Sequence, residues 1–154
     1  MAGAVAGITG QQALACTAQP GASSAASSIP ASYLAGFRKA GTEYGIPWTV
    51  LAAIGEVESG DGQNDGPSSA GALGPMQFEP STWQEWGTDG FGDTGTPNIM
   101  NPYDAVPSAA EMLCAAGAAN GGQSLYNAIF AYNHASWYVD EVLAIAREYA
   151  QSAG

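Results

Sequence analysis

Glycine and proline divide this chain into segments of helical length, and that division limits the possible folds more than any other feature. Proline favours the first turn of a helix and glycine its end, and the chain contains 21 glycines and 9 prolines. From Pro30 onward the apolar residues between these breaks recur at helical spacing, and no segment alternates like a strand. We therefore expect an all-α fold, with helices over about 31–44, 47–59, 80–86, 104–118, 123–133 and 136–151.

The connecting segments suggest one domain with a cleft. Residues 61–74 and 87–103 are long glycine-rich loops, and such loops more often shape binding sites than complete a compact core. Residues 1–29 are rich in alanine, glycine, serine and threonine and have no stable period. They are predicted to form a flexible tail or linker, and residues 30–154 to form a single domain.

The charge of the chain excludes several partners. The formal net charge is −11, with only three lysines and arginines. Nucleic-acid binding relies on many such cations, as does a polybasic membrane anchor, so neither is expected. No cofactor or metal is expected either, since the sequence has no Cys/His cluster or phosphate loop. The acidic segment 88–95 departs from an EF-hand because Phe91 and Thr94 stand where an oxygen ligand and a glycine are required.

The helix predicted over 47–59 carries an acid on its apolar face. At about 100° per residue, Glu58 falls between Leu51 and Ile54, whereas Glu56 falls on the opposite side. Burial and the negative end of the helix dipole both raise the pKa of a carboxyl group. A raised pKa keeps the acid protonated near neutral pH, as a general acid requires. The alternative is an acid at a fraying helix end that simply reaches water.

Four segments of the chain resemble, in family order, the motifs of soluble lytic transglycosylases, over about residues 42–145. The second has the Gly-Pro-Met-Gln-Phe form of the MltB-like branch. The four are LAAIGEVESG (51–60), GALGPMQFEPSTW (71–83), NPYDA (101–105) and AYNHASWYV (131–139).

This resemblance implies a lysozyme-like helical domain with a substrate groove. It implies Glu58 as the sole essential carboxylate, acting first as general acid and then as general base, and Tyr132 as the residue that hydrogen-bonds near Glu58 and orients it. Met76, Phe78 and Tyr132 could instead be core residues, and His134 is given little catalytic weight. The resemblance makes the following residues candidates for substrate binding: Ser59, Ser68 or Ser69 beside an N-acetyl group, Gln77 near the −1 sugar, Met76 and Phe78 as the groove wall, and Asn133.

The implied reaction is cleavage of the MurNAc–GlcNAc bond in peptidoglycan glycan strands, with formation of 1,6-anhydromuramic ends and without a cofactor. A hydrolytic, lysozyme-type muramidase is the second interpretation. It would need another carboxylate to activate water, and Asp61 and Asp65 are the nearest candidates in the sequence. A non-catalytic cell-wall-binding module is the third.

An enzyme of this kind acts outside the cell, so we expect a secreted or cell-wall-associated monomer, with further domains of a longer secreted protein as candidate neighbours. No export signal is evident, because the first residues lack a basic region. Cys16 and Cys114 allow one intramolecular disulfide, which secretion favours. Two free thiols, or a lipidated Cys16, are the alternatives.

Overall fold

The computed structural model describes residues 28–91 and 95–153, and in this part of the chain the fold is helical, as predicted. The only extended pairing among these residues is an isolated antiparallel bridge between Leu73 and Phe78. The helices are α1 (Ala31–Tyr44), α2 (Trp48–Ser59), α3 (Pro80–Trp86), α4 (Pro102–Ala115), a 3₁₀ turn (Ala118–Asn120), α5 (Gly122–Asn133) and α6 (Ser136–Ala153).

The helix ends follow the breaks in the sequence. Gly45 and Gly60 end α1 and α2 in the left-handed conformation, with φ of 67° and 60°, where glycine carries no steric penalty. Helix α4 begins two residues earlier than predicted, because the Asn101 side chain caps it by accepting the Tyr103 N–H at 2.9 Å. It also ends earlier, before Gly117, whose φ of 100° cannot continue a helix.

Helix α2 is the centre of the core. Every residue from Trp48 to Gly55 is buried, as expected of a helix that is apolar on all sides. It packs against α6 and α1, and α1 in turn packs against α4. Only the last residues of α2 approach the surface, so the fold places Glu58 where the core meets solvent.

The second glycine-rich loop is held against α4 by two features of that helix. The buried Asp104 carboxylate accepts the N–H groups of Gly90 (2.8 Å) and Asn98 (2.9 Å). Pro107 has no N–H to donate within the helix, and the carbonyl of Tyr103 that it leaves free accepts the N–H of Phe91 at 3.1 Å. This loop therefore packs on the body of the domain.

The predicted tail lies almost entirely outside the described residues, and of its last residues Ile29 is buried in the core. The division at residue 30 stays a prediction. Cys16 also lies outside the described residues. Cys114 is a thiol here and donates to the Tyr44 carbonyl at 3.1 Å. The disulfide therefore stays a prediction.

None of the described helices is long and apolar enough to span a membrane.

Candidate active site

A groove of about 400 Å³ opens where the end of α2, the 61–79 segment and the end of α5 meet. The first of the two glycine-rich loops contributes to it, whereas the described residues of the second do not. The groove brings together six of the residues predicted from the sequence: Glu58, Ser68, Gln77, Phe78, Tyr132 and Asn133.

Glu58 occupies the position that its place on the helix predicted. Its side chain is half-buried in the groove, whereas Glu56 is exposed, so the predicted difference between the two acids is confirmed. Burial raises the pKa of Glu58 from 4.5 to about 7, against the opposing effect of a hydrogen bond from Tyr138. Near neutral pH the acid is thus available in both protonation states, which suits a group that must give and then take a proton.

The tyrosine that contacts Glu58 is not the one predicted. Tyr138, fully buried on α6, donates its hydroxyl hydrogen to Glu58 Oε1 at 2.6 Å. The Tyr132 hydroxyl donates to the Met76 carbonyl at 2.7 Å, and the two tyrosine rings lie parallel with centroids 6.5 Å apart. The prediction that Tyr132 donates a hydrogen bond to Glu58 is therefore wrong, and Tyr138 is the donor. Both tyrosines belong to the fourth motif, and the helical phase of α6, which buries Tyr138 with Val142, could have identified the second.

Gln77 is held in the groove by an unusual backbone conformation. The Leu73–Phe78 bridge closes a tight turn in which Gln77 adopts φ of 53°, a left-handed value that is uncommon for a residue with a side chain. Its side-chain amide donates to the carbonyls of Gly66 (3.2 Å) and Gly74 (3.0 Å). These bonds offset the cost of the conformation, and such local strain is typical of functional sites.

Two of the predicted binding residues are buried beneath the groove and do not line it. Ser59 is buried, and its hydroxyl donates to the Pro75 carbonyl (2.6 Å) while accepting the Gly62 N–H (2.8 Å). Met76 is fully buried and presents its carbonyl to Tyr132. Neither side chain lines the groove, because both are buried in the interior. The predicted contacts of Ser59 and Met76 with substrate are therefore wrong.

The other candidate binding residues differ in whether they line the groove. Of the two serines, Ser68 lines the groove and Ser69 does not. The Ser68 hydroxyl accepts the N–H of Ala72 at 3.0 Å, which keeps the loop folded over the groove. Asn133 and His134 are exposed at its α5 side, so the histidine that was given little catalytic weight does line the groove.

The second carboxylate of the groove was missed. Asp61 and Asp65 do not line it, whereas Glu79 does. Asp61 lies outside the groove near Glu56. Burial and the charge of Glu56 raise the pKa of Asp61 from 3.8 to about 6. Its buried Oδ1 has no hydrogen-bond partner among the described residues.

Asp61 offers a stability test that leaves the groove untouched. Because its folded pKa is raised, its stabilising contribution is complete below the unfolded value of 3.8 and is lost as pH rises through about 6. Asparagine cannot ionise and tolerates the left-handed φ of 54° at this position. After allowance for solvent screening, we expect Asp61→Asn to raise the free energy of unfolding on the order of 1 kcal/mol at about pH 7.5 and to have little effect at about pH 4. Thermal unfolding at both pH values measures this. A gain that is equal at both would rule out ionisation as its cause.

Among the described residues of the acidic segment 88–95, the Gly95 N–H donates to Asp89 Oδ2 at 3.0 Å. Residues 92–94 lie outside the described part. In the rest of the chain that the structure covers, no three His, Cys, Asp or Glu side chains are arranged to hold a metal ion.

Comparisons with known proteins identify a similar sequence family and a similar fold. The sequence model of the transglycosylase SLT domain matches residues 36–153, and no curated protein sequence matches the chain. The structure of the Escherichia coli lytic transglycosylase SLT35 in complex with bulgecin A is similar with a TM-score of 0.68 at 17% identity, over 84% of this chain and 77% of that one. The same enzyme in complex with calcium gives 0.67 at 17% identity, over 84% and 78%. These similarities confirm the predicted lysozyme-like helical fold.

Proposed function

The chain belongs to the transglycosylase SLT domain family and is a lytic transglycosylase, and we propose that Glu58 is the acid and base with which it cleaves peptidoglycan glycan strands. The observation that carries this assignment is a half-buried carboxyl group in a groove, with a pKa of about 7 and one hydroxyl donor. We propose cleavage between N-acetylmuramic acid and N-acetylglucosamine, with formation of 1,6-anhydromuramic ends.

The reaction uses both protonation states of Glu58. The protonated acid gives its proton to the glycosidic oxygen as the bond from that oxygen to C1 of the muramic acid breaks. The N-acetyl group of the substrate is suited to stabilise the positive charge at C1. The resulting carboxylate takes the proton of the C6 hydroxyl, whose oxygen closes onto C1. No proton or water is consumed, and Glu58 returns to its starting state.

Polar groups around the acid are suited to hold the sugars. Gln77, fixed by its two hydrogen bonds, and Ser68 lie on the loop side, and Asn133 and Tyr132 on the α5 side. Phe78 supplies apolar surface; its ring is packed edge-on against Trp83 with centroids 5.1 Å apart. We propose that these residues bind the strand, and that Tyr138 positions Glu58 without touching the substrate.

Hydrolysis is the second candidate, because Glu79 gives the groove another carboxylate. The lyase reaction is favoured for two reasons. Glu79 is exposed, and closure of the anhydro ring needs no base other than Glu58. Incubation with purified sacculi and mass analysis of the released muropeptides separates the candidates. Anhydro products are lighter than reducing-end products by one water, and a binding module releases neither. Reducing ends that disappear in Glu79→Gln would establish the hydrolase instead.

The site of action follows from the substrate. We propose that the protein works outside the cell or in the cell wall, where a disulfide between Cys16 and Cys114 is stable. Two titratable thiols in denatured, non-reduced protein from an oxidising host would contradict the pairing.

A further inference from the structure

The groove contains two carboxyl groups and no lysine or arginine to balance them. Among its lining residues the carboxyl groups are Glu58 and Glu79, and no lysine or arginine is present. A carboxylate on a bound strand would therefore meet no lysine or arginine there.

The three cations of the chain lie elsewhere. Arg38 places its guanidinium over the ring of Trp48, 5.2 Å from the centroid. Lys39 forms an exposed ion pair with Glu43 at 3.2 Å. Arg147 lies on α6 and does not line the groove.

The carboxylate of Glu79 has neither a capping bond nor an ion pair among the described residues. Glu79 occupies the N-cap position of α3, where shorter acceptors such as Ser, Asp or Asn can reach the first free N–H groups. The Glu79 carboxylate makes no capping bond, and it has no ion pair with any described residue. It is exposed, and it forms the α3 rim of the groove together with Thr82, almost one turn further on.

Peptidoglycan carries primary amines in two places. One is the side chain of an uncrosslinked diamino acid in the stem peptide, and the other is C2 of a glucosamine that has lost its acetyl group. We propose that Glu79 is a specificity-determining residue that pairs with an ammonium group on the strand, so that strands with free amines are preferred. This inference rests on the proposed function, since it takes the strand to lie in the groove.

The expected preference is moderate because the pair is exposed to solvent. Exposed ion pairs correspond to about a two- to fivefold difference in rate or affinity. The preference should shrink at about 0.5 M salt, where charges more than about 4 Å apart are screened.

The test compares untreated sacculi with sacculi whose amines have been acetylated. We expect the wild type to release muropeptides about two- to fivefold faster from untreated sacculi, and Glu79→Gln to cleave both at the same rate. Glu85→Gln is the matched control, because Glu85 is exposed on the same helix outside the groove, and it should keep the preference. Strands freed of stem peptides, with and without removal of N-acetyl groups, show which amine is recognised.

Binding of the same substrates to Glu58→Gln protein, with and without Glu79→Gln, keeps the test independent of turnover. If the wild type cleaves neither substrate but still binds untreated sacculi better, the proposed function fails and the amine preference stands. Equal cleavage and equal binding of the two substrates, or a preference that survives Glu79→Gln, overturns the assignment of Glu79.

Discussion

Glu58→Gln should lower turnover of peptidoglycan by at least about 10⁴-fold, because the sole acid and base of the reaction is then unable to exchange a proton. The amide has the shape of the carboxyl group and can still accept the hydrogen bond from Tyr138, so the fold and the binding of strands should persist. Release of muropeptides and co-sedimentation with sacculi measure the two properties separately.

The same substitution should stabilise the protein near neutral pH. The folded pKa of Glu58 is raised from 4.5 to about 7, so its contribution to stability is complete below 4.5 and is lost as pH rises through 7. Glutamine avoids this loss, and we expect the free energy of unfolding at about pH 8 to rise on the order of 1–3 kcal/mol. Glu56→Gln is the control and should leave activity almost unchanged, since Glu56 is exposed outside the groove. Comparable losses of activity in both variants would contradict the assignment of Glu58.

Tyr138→Phe should reduce the rate by about ten- to a hundredfold, because the ring stays in the core while the one hydroxyl that orients Glu58 is removed. That hydroxyl lowers the pKa of Glu58. Its loss should move the pKa above about 7, so the limb of the pH–rate profile on which Glu58 loses its proton should shift to higher pH.

Tyr132→Phe is the matched comparison, since it removes the same atom from the neighbouring ring. It leaves the Met76 carbonyl without its donor, and an unsatisfied buried acceptor costs about 1–3 kcal/mol. We expect lower stability and a pH–rate profile that keeps its position. A shifted limb in Tyr132→Phe together with an unchanged one in Tyr138→Phe would restore the original assignment of the orienting tyrosine to Tyr132.

The helices and the acid were predictable because they depend on local chemistry. Proline and glycine mark the ends of α1 and α2, and the helical period alone places Glu58 apart from Glu56. The partners of the site depend on long-range packing. The packing of α6 on α2 determines whether Tyr132 or Tyr138 contacts Glu58.

The turn of the second motif was harder to interpret for the same reason. The sequence shows Met76, Gln77 and Phe78 side by side, but the left-handed conformation of Gln77 determines which of them face the groove. Glu79 was missed because an acid in front of a helix-starting proline is typical of a helix N-terminus. Only the structure shows that its side chain caps nothing and lies at the groove.

The carbonyls of Pro75 and Met76 accept hydrogen bonds from two different helices: Ser59 of α2 donates to one and Tyr132 of α5 to the other. Two consecutive peptide units thus join the wall that carries the acid to the wall opposite it. The width of the groove is therefore set during folding, and a strand that enters should cause little movement of the backbone. The entropy lost in ordering these walls does not have to be lost again on binding, and the dipoles around the glycosidic oxygen are in place before the substrate arrives.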